Sequence, residues 1–419
     1  MKILVYPHDL GVGGSQINAI DLAAAVSGLG HETVVFGRPG PLTDKIAAAG
    51  LEFVAAPAGR RRPSPAIVAA LSELALQRNI DVLHGYEWPP ILEAWLAARR
   101  SGAVAVGTVM SMAVAPFVPL RIPLLVGTEQ IAAAEMAEGR TWVSTLEPPV
   151  DLATNDVAQT PGVAEFRQRW NVLDSEISIV AVCRLAHELK LEGLLTAIEC
   201  IADLAKSRPV RLLIVGSGPA KEIVLQAAVA ANRAAGRPVI TLTGELADPR
   251  PAYVVGDIQL AMGSSAIRAM AFAKPVVVQG EQGFWKVLDQ TSRDEFLWTG
   301  FYGVGPGPSL GRGELTAILS QLSDDPRRRQ ELGAFGRVLA EDRFSLDSAA
   351  RRQLIAYQDA REHAEASDFC SDLPTTAWRY GRYALRRRLS RWLGTARRDD
   401  FNSRPVAAGG PTKPTAVVA

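Results

Sequence analysis

The residues with the clearest chemical potential lie in the second half of the chain, each just after a short apolar run. Arg184 follows the apolar run 177–183, and Lys190 stands a few residues further on. The turn Gly263-Ser264-Ser265 follows the run 258–261 and precedes a helical pattern. Free backbone N–H groups at a helix start bind phosphates well, and cationic side chains add charge-assisted hydrogen bonds. These residue types therefore indicate a site for a diphosphate leaving group, whose developing charge such groups stabilise.

Two glycine turns in the same half of the chain support this interpretation. Gly216 and Gly218 follow the run 211–215, and Gly244 follows the run 239–242. In an open α/β sheet, ligands bind outside the carboxyl ends of the strands, where these turns are expected. Each feature alone also has a structural explanation as a tight turn, an N-cap or a solvated surface charge. Their order within one domain is what favours a binding site.

Two series of predicted strands and helices must position these residues. The first series has strands at 2–6, 33–36, 51–55, 81–84, 104–109 and 124–126, and a helix at 16–29. The second has strands at 177–183, 211–215, 239–242, 258–261 and 275–278, and helices at 191–206, 220–235 and 265–273. Strands that alternate with helices predict right-handed crossovers and parallel sheets covered on both faces. The fold class is therefore α/β.

Breaks in this pattern predict the domain organisation. Pro148-Pro149 cannot continue a helix or a central strand, so this segment is the best candidate for a linker. The predicted organisation is an N-terminal Rossmann-like domain over 1–158, a second over 159–345, C-terminal helices over 346–398, and a disordered tail over 399–419.

Bulk composition excludes several classes of protein. The 419 residues carry a formal net charge of +1, so no global field predicts nucleic-acid binding. The three cysteines stand far apart without metal-binding spacing, which is typical of thiols in a reducing compartment. The N-terminal apolar run is too short for a signal peptide, and no uncharged run reaches the ~20 residues of a membrane span. The expected location is the cytoplasm.

Gly13 and Gly14 are the most distinctive residues of the first half. They follow the first predicted strand, where glycine lets a backbone approach a ligand closely. A simple strand-to-helix turn would explain them as well. His84 ends the fourth predicted strand, where it could be either a polar cap or a functional group.

The ordered motifs of the second half resemble those of a known family. Arg184-Leu185 with Lys190 comes first, the turn Gly218-Pro219 second, Thr243-Gly244 third, and the segment 263–278 last. This order is similar to the C-terminal domain of family 4 glycosyltransferases of GT-B fold. The resemblance implies two Rossmann-like domains that face each other across a cleft. It also implies transfer of a sugar from a nucleoside-diphosphate sugar to a hydroxyl of a glycan, lipid or small molecule, with retention and without a metal or other cofactor.

The same resemblance assigns roles to single residues. Arg184 and Lys190 would be catalytic cations on the donor diphosphate, and Glu281 would face the donor sugar from an acidic loop. The donor-binding residues implied in this way are Gly13, Gly14, Gly216, Gly218, Gly263, Ser264 and Ser265. His84 and Ser111 would lie on the acceptor side, with Ser111 in the region where the family often has a histidine.

Arg268, also expected to bind the donor, is the main departure from the family's pattern. The family usually has a glutamate here that contacts the nucleotide ribose, and an arginine cannot accept hydrogen bonds from ribose hydroxyls. Arg268 could instead bind a phosphate or a carboxylate of the donor. If the site is degenerate, the chain would be a non-catalytic sugar-nucleotide or glycan-binding protein of the same fold.

A different Rossmann enzyme, such as an epimerase or a dehydrogenase, fits the sequence less well. No GxGxxG motif follows the first predicted strand, and no acidic residue stands at the end of the second. Dinucleotide-binding domains use both features.

The segment 379–398 combines arginines with aromatic and leucine residues. Leu385, Leu389, Trp392 and Leu393 recur at helical spacing among these arginines. Such a segment could lie as an amphipathic helix on the anionic inner face of a membrane. It could equally pack back on the first domain with a solvated basic face. The expected partners are thus a nucleotide-sugar donor, an unidentified acceptor and, in the first case, a membrane.

Overall fold

The computed structural model divides the chain into two compact units. Unit 1 comprises Met1–Pro149 and Leu346–Val406, and unit 2 contains Val150–Ser345. The residues that the structure describes are 1–7, 10–11, 13–59, 61–363, 366–394, 401 and 405–406, so most of the tail predicted as disordered lies outside them. The chain leaves unit 1 inside the proline segment, before the boundary predicted at 158. Residues 346–394 belong to unit 1 and not to a separate helical segment.

Each unit is built on one sheet. The strands are β1 (Lys2–Tyr6), β2 (Glu32–Gly37), β3 (Glu52–Ala55), β4 (Val82–Tyr86), β5 (Val104–Val109), β6 (Leu124–Val126), β7 (Val143–Thr145), β8 (Ile177–Val182), β9 (Val210–Val215), β10 (Ile240–Gly244), β11 (Ile258–Ala261), β12 (Val276–Gln279) and β13 (Trp285–Val287). Within the described residues, unit 1 has a seven-stranded sheet of order β3-β2-β1-β4-β5-β6-β7 and unit 2 a six-stranded sheet of order β10-β9-β8-β11-β12-β13. Strand β13 runs antiparallel to β12, whereas the other pairs are parallel.

Helices connect the strands and close each unit. They are α1 (Gly14–Gly28), α2 (Thr43–Ala48), α3 (Pro65–Arg78), α4 (Trp88–Ser101), α5 (Glu129–Ala137), α6 (Val163–Arg169), α7 (Leu191–Leu204), α8 (Lys221–Ala235), α9 (Arg250–Val255), α10 (Ser264–Ala271), α11 (Arg293–Thr299), α12 (Pro308–Asp324), α13 (Pro326–Arg343), α14 (Leu346–His363) and α15 (Ala366–Trp392). The predicted alternation of strands and helices, and with it the doubly wound α/β architecture, is confirmed.

The first strand shows why the sheet of unit 1 is covered on both faces. Successive side chains of a strand point to opposite faces. Ile3 and Val5 pack in a core cluster with residues of α1 and α14, whereas Leu4 and Tyr6 pack in a second cluster with residues of α3 and α4. Both faces are therefore apolar, as parallel sheets require.

Buried hydrogen bonds as well as apolar contacts hold helix α14 against the sheet of unit 1. The Tyr357 hydroxyl lies 2.6 Å from Nδ1 of His84, and the Thr108 hydroxyl lies 2.7 Å from Nε2 of the same ring. The Tyr86 hydroxyl donates to Gln353 of α14 at 3.3 Å. Buried polar groups must be paired in this way, because an orphaned donor or acceptor carries a full desolvation penalty.

In unit 2 the four central strands bring the predicted site residues to one edge. Strands β9, β8, β11 and β12 are consecutive neighbours and run parallel. Gly216 directly follows β9, Arg184 follows β8 and Gly263 follows β11. Segments far apart in sequence thus meet at the carboxyl edge of one sheet.

We expect Tyr357→Phe to destabilise unit 1 by about 1–3 kcal/mol, because Nδ1 of the buried His84 ring loses its partner. Urea unfolding followed by circular dichroism measures the change. Ile355→Ala is the matched control: Ile355 lies on the same helix but is exposed, so its substitution should change stability by less than ~0.5 kcal/mol. Equal stabilities of Tyr357→Phe and the wild type would show that α14 does not depend on this bond.

Candidate active site

Three cationic side chains at the carboxyl edge of unit 2 have no ion-pair partner within the described part of the chain. Arg184 is exposed after β8, Lys190 is partly buried at the N-cap of α7, and Arg268 is partly buried in α10. Surface arginines and lysines elsewhere in unit 2 commonly pair with carboxylates, as Arg208 does with Asp324 and Lys206 with Asp203. The three cations are thus available to an anionic ligand.

The surroundings of Lys190 disfavour the charged form of its ammonium group. Burial lowers the pKa of its ammonium group to about 8, and the nearby Cys183 thiol opposes this shift in part. A lysine with a lowered pKa but no protein carboxylate beside it gains most from a bound anion, which would restore the charged form. Perturbed groups of this kind are concentrated at functional sites.

Tyr253 is a buried tyrosine whose pKa responds to Arg268 and Cys183. Burial raises the pKa of the Tyr253 hydroxyl to about 12, while the charge of Arg268 lowers it and that of Cys183 raises it. The same hydroxyl is therefore within electrostatic range of both Arg268 and Cys183. Strands β8 and β11 are adjacent and parallel, so the segments that follow them and carry Lys190 and Arg268 lie at one edge of the sheet.

The start of α10 offers free backbone donors in the same region. Gly263 precedes the helix with φ 60° and ψ −134°, a conformation that is essentially restricted to glycine. The N–H groups of Ser264 and Ser265 have no acceptor among the described residues, as expected for a first helical turn. The Ser265 hydroxyl is engaged with the backbone of Met262, so Ser265 offers its N–H group to a ligand rather than its side chain.

Gly216 and Gly218 are required by the protein backbone itself. Both have positive φ angles, and a Cβ on Gly216 or Gly218 would overlap the carbonyl oxygen of Cys183 or Leu185, respectively. The two loops are joined by the hydrogen bond from the Leu185 N–H to the Ser217 carbonyl at 2.9 Å. The glycines thus fix the backbone that presents Arg184, and their predicted contact with the donor stays a prediction.

Glu281 lies after β12 in a loop that other residues hold firmly. The Tyr302 hydroxyl donates to Oε2 of Glu281 at 2.6 Å, and the backbone N–H of Glu281 donates to Gly303 at 3.0 Å. Burial and the Glu281 carboxylate together raise the pKa of Tyr302 above its usual value, so this hydroxyl remains a donor. The other oxygen of Glu281 can accept a further hydrogen bond.

Glu192, which the sequence did not single out, ties this loop to the start of α7. Its carboxylate accepts from the N–H groups of Gln282 at 3.2 Å and Gly283 at 2.6 Å. Because Glu192 is in the first turn after Lys190, it brings the Glu281 loop toward that cation. Its only signal in the sequence is its position in the first turn of a helix, which is common for glutamate. Tyr302 had no signal, since it stands in a glycine-rich run without clear periodicity.

In unit 1, Glu87 is the residue around which the carboxyl edge is organised. Its carboxylate accepts from the hydroxyls of Ser15 at 3.1 Å and Ser111 at 2.8 Å and from the N–H of Met110 at 3.0 Å. Glu87 has φ 65°, which is rare for a residue with a side chain and is found mostly where function or tight packing requires it. Ser111 is partly buried at this edge, and its predicted place on the acceptor side stays a prediction.

His84 and Gly13 differ from what their positions suggested. The His84 ring is fully buried with both nitrogens occupied, and burial lowers its pKa to about 3. His84 is therefore a neutral core residue, and its predicted acceptor-side role is wrong. Gly13 is extended, with φ −162°, so a positive φ is not what requires glycine there, whereas Gly14 is the first residue of α1.

The described residues contain no group of three or more His, Cys, Asp or Glu side chains that could hold a metal ion. A metal-independent reaction stays a prediction.

Two family models match the chain. Residues 13–146 match the glycosyl transferase 4-like domain, and residues 176–299 match the glycosyl transferases group 1 model. Together the matched residues make up more than half of the chain. No curated protein matches this sequence.

Solved structures share the fold at low sequence identity. A glycosyltransferase from Rickettsia africae has a TM-score of 0.67 at 16% identity, covering 87% of this chain and 99% of its own. The Anabaena protein HepE in complex with UDP has a TM-score of 0.66 at 15% identity, covering 86% and 100%. A putative UDP-N-acetylglucosamine 2-epimerase from Listeria monocytogenes has a TM-score of 0.58 at 14% identity, covering 87% and 98%.

The two matched domains follow one another in the order of the two units, and the structural neighbours have the same two-domain α/β architecture. The fold and the family that the motifs of the second half suggested are thereby confirmed. The chain is a glycosyltransferase of GT-B fold and belongs to the family 4, group 1 glycosyltransferases.

Proposed function

We propose that the protein transfers a sugar from a nucleoside-diphosphate sugar to an acceptor hydroxyl, with the donor diphosphate bound at the carboxyl edge of unit 2. The observation that carries this proposal is a set of three cations without an ion pair among the described residues, Arg184, Lys190 and Arg268, at the sheet edge where the free N–H groups of α10 also lie. A helix N-terminus with adjacent cations is a favourable environment for a diphosphate.

The same groups stabilise the charge that develops during transfer. The bond between the anomeric carbon and the diphosphate oxygen breaks, and a bond to the acceptor oxygen forms, while the acceptor's proton is released to the departing phosphate or to solvent. Negative charge accumulates on the leaving diphosphate, next to donors that the fold has already oriented. Loss of one such preorganised donor typically costs about 10²–10³-fold in rate.

Glu281 is proposed to orient the donor sugar. Its Oε2 atom is held by Tyr302, so the carboxylate has a fixed direction and one oxygen left for a sugar hydroxyl. In this proposal Arg268 contacts the diphosphate and not the ribose, since it is a pure hydrogen-bond donor.

The finer features of the reaction are proposals as well. We infer retention at the anomeric carbon and no requirement for a metal or cofactor from the resemblance of the motifs. UDP is the nucleotide to test first, because HepE has been crystallised with UDP and UDP-glucose. The acceptor is a hydroxyl of a glycan, a lipid or a small molecule. Peripheral contact with an anionic membrane through 379–398, on the cytoplasmic side, belongs to the same proposal.

A non-catalytic sugar-nucleotide or glycan-binding protein is the second candidate, favoured by Arg268 in place of the usual glutamate. Calorimetry with UDP, followed by hydrolysis assays over a panel of UDP-sugars, separates the two. Tight nucleotide binding without turnover of any donor would favour the binding protein. Absence of nucleotide binding would contradict both.

We predict that Arg184→Ala and Lys190→Ala each weaken UDP binding by about tenfold or more, because each removes a charge-assisted hydrogen bond. Calorimetry measures the affinity, and circular dichroism verifies the fold. The matched controls are Arg327→Ala and Lys206→Ala, which remove exposed cations that pair with local carboxylates. If the two site variants bind UDP as tightly as these controls do, the diphosphate lies elsewhere.

The affinity for UDP should fall as the pH rises from 7 to 9. Lys190 is charged below its pKa of about 8 and neutral above it, whereas the diphosphate is already ionised at pH 7. The charge that binds the anion is therefore lost on the alkaline side, by about tenfold in affinity per pH unit above 8 at most. Lys190→Arg should flatten the profile, because arginine remains protonated. An equally steep profile for this variant would exclude Lys190 as the titrating group.

Substitution of Glu281 should separate chemistry from nucleotide binding. We expect Glu281→Gln to reduce kcat for donor hydrolysis by about 10²-fold while UDP affinity changes less than threefold, because the carboxylate contacts the sugar and not the diphosphate. Tyr302→Phe should show a smaller loss of the same kind. A proportional loss of UDP affinity in Glu281→Gln would place this residue at the nucleotide instead.

A further inference from the structure

Helix α15 packs on unit 1 through its tyrosine face. The ring centroids of Tyr380 and Tyr383 lie 5.3 Å and 4.8 Å from that of Phe117, and both tyrosines also contact Trp88. The Tyr380 hydroxyl donates to the carbonyl of Arg62. The rotational position of this helix on unit 1 is thereby fixed.

The opposite face of α15 exposes its largest apolar side chains. Trp378 and Leu385 are each 60% exposed, Leu389 is 49% exposed, and Trp392 is 84% exposed. Their spacing of seven, four and three residues places them on one face of the helix. A helix on the surface of a globular protein normally turns such a stripe inward, so an exposed stripe of this kind marks an interaction site.

Positive charge surrounds the apolar stripe in the part of the helix after Asp372. Residues 373–394 contain six arginines and no aspartate or glutamate. Arg382, Arg386, Arg388 and Arg391 are exposed and have no carboxylate partner in the described part of the chain. The guanidinium of Arg382 lies 4.6 Å from the centroid of the Trp378 ring. A partner of this face must therefore offer an apolar region for the tryptophan rings and negative charge for the arginines.

A groove of about 960 Å³ continues this face toward the body of unit 1. It lies between α15, α5 and the segment 113–120, and its apolar lining includes Val114, Leu120 and Leu393. Arg382 and Arg386 also line it, whereas the charge of Arg140 in its wall is balanced by Glu135 at 3.2 Å. Glu138 also lines the groove, but arginines outnumber the two glutamates of its lining. The groove therefore combines an apolar wall with an excess of positive charge.

We infer that the outward face of α15 and this groove dock the protein onto an anionic phospholipid bilayer. Lipid phosphates lie against Arg382 and Arg386, the Trp378 and Trp392 rings lie at the boundary between head groups and acyl chains, and the groove receives part of one lipid. This inference rests on the membrane contact in the proposed function and specifies the helix face, the groove and the type of lipid.

Bilayer chemistry fits this face better than a protein surface does. Tryptophan prefers the boundary region of bilayers, and each arginine near an anionic membrane contributes a similar increment of attraction without a specific partner. Apolar and aromatic side chains on one helical face insert into that boundary without crossing it. None of the described helices is long and apolar enough to span a membrane.

The test uses the full-length protein with two types of vesicle, phosphatidylcholine alone and phosphatidylcholine with 30% phosphatidylglycerol. Flotation should recover the wild type with the anionic vesicles and not with the neutral ones. Arg382→Gln with Arg386→Gln should weaken partitioning by about 30-fold, and Leu389→Ser with Trp392→Ser by at least tenfold. Arg233→Gln with Arg327→Gln, which removes two exposed arginines from unit 2, is the charge-matched control and should bind like the wild type.

UDP affinity measured on the same samples distinguishes a failure of the membrane-docking inference from a failure of the proposed donor site. A chain that binds UDP but floats with neither vesicle type, or a control pair that loses as much binding as the α15 pair, overturns the docking surface. Equal binding to neutral and anionic vesicles overturns the role of the arginines. Quenching of tryptophan fluorescence by brominated lipids, reduced in Trp392→Phe, would establish that the outward face enters the bilayer.

Discussion

The site proposed in unit 2 depends on one electrostatic constraint: three cations are held at the sheet edge without an ion pair to a carboxylate in the described part of the chain. Arg184, Lys190 and Arg268 belong to three different segments, and none has a carboxylate partner among the described residues. Other cations of unit 2, such as Arg208 and Lys206, pair with carboxylates. The desolvation that lowers the pKa of Lys190 is a cost that a bound anion would remove.

The backbone holds these charges in place through close approaches that only glycine permits. Gly216 and Gly218 press against the loop that carries Arg184, and the conformation of Gly263 sets the direction in which α10 begins. Side chains, rather than glycines, hold the loop that carries Glu281. Tyr302 orients the Glu281 carboxylate, and Glu192 accepts hydrogen bonds from the backbone of the two residues that follow it. Cations presented by a rigid backbone and a carboxylate oriented by hydrogen bonds are the kind of preorganised groups that the proposed reaction requires for stabilisation of developing charge.

Sequence reasoning succeeded where one local signal determines the outcome. Buried β-branched runs predicted the strands of both sheets except β7 and β13, which have three residues each and too short a pattern to recognise. The ordered motifs identified the family because they combine strand ends, glycine turns and cations within one domain. His84 was misjudged because its position at a strand end is visible in the sequence, whereas its partners Thr108 and Tyr357 come from a neighbouring strand and from a helix far along the chain. Glu87 and Tyr302 were missed for the same reason, since their importance lies in contacts between segments.

The return of the chain to unit 1 explains why the amphipathic pattern of α15 was ambiguous in sequence. In 379–394, the described part of the segment 379–398, the tyrosines pack on Trp88 and Phe117, while Leu385, Leu389 and Trp392 face outward. Packing against unit 1 is thus what the structure has, and contact with a membrane stays a prediction. Trp88 opens α4 directly after Glu87, and Phe117 belongs to the segment after β5 that begins near Ser111. The helix therefore packs beside the carboxyl edge of the unit 1 sheet, where Glu87 and Ser111 lie. The membrane contact proposed for α15 and the acceptor side proposed for Ser111 would thus belong to the same part of unit 1.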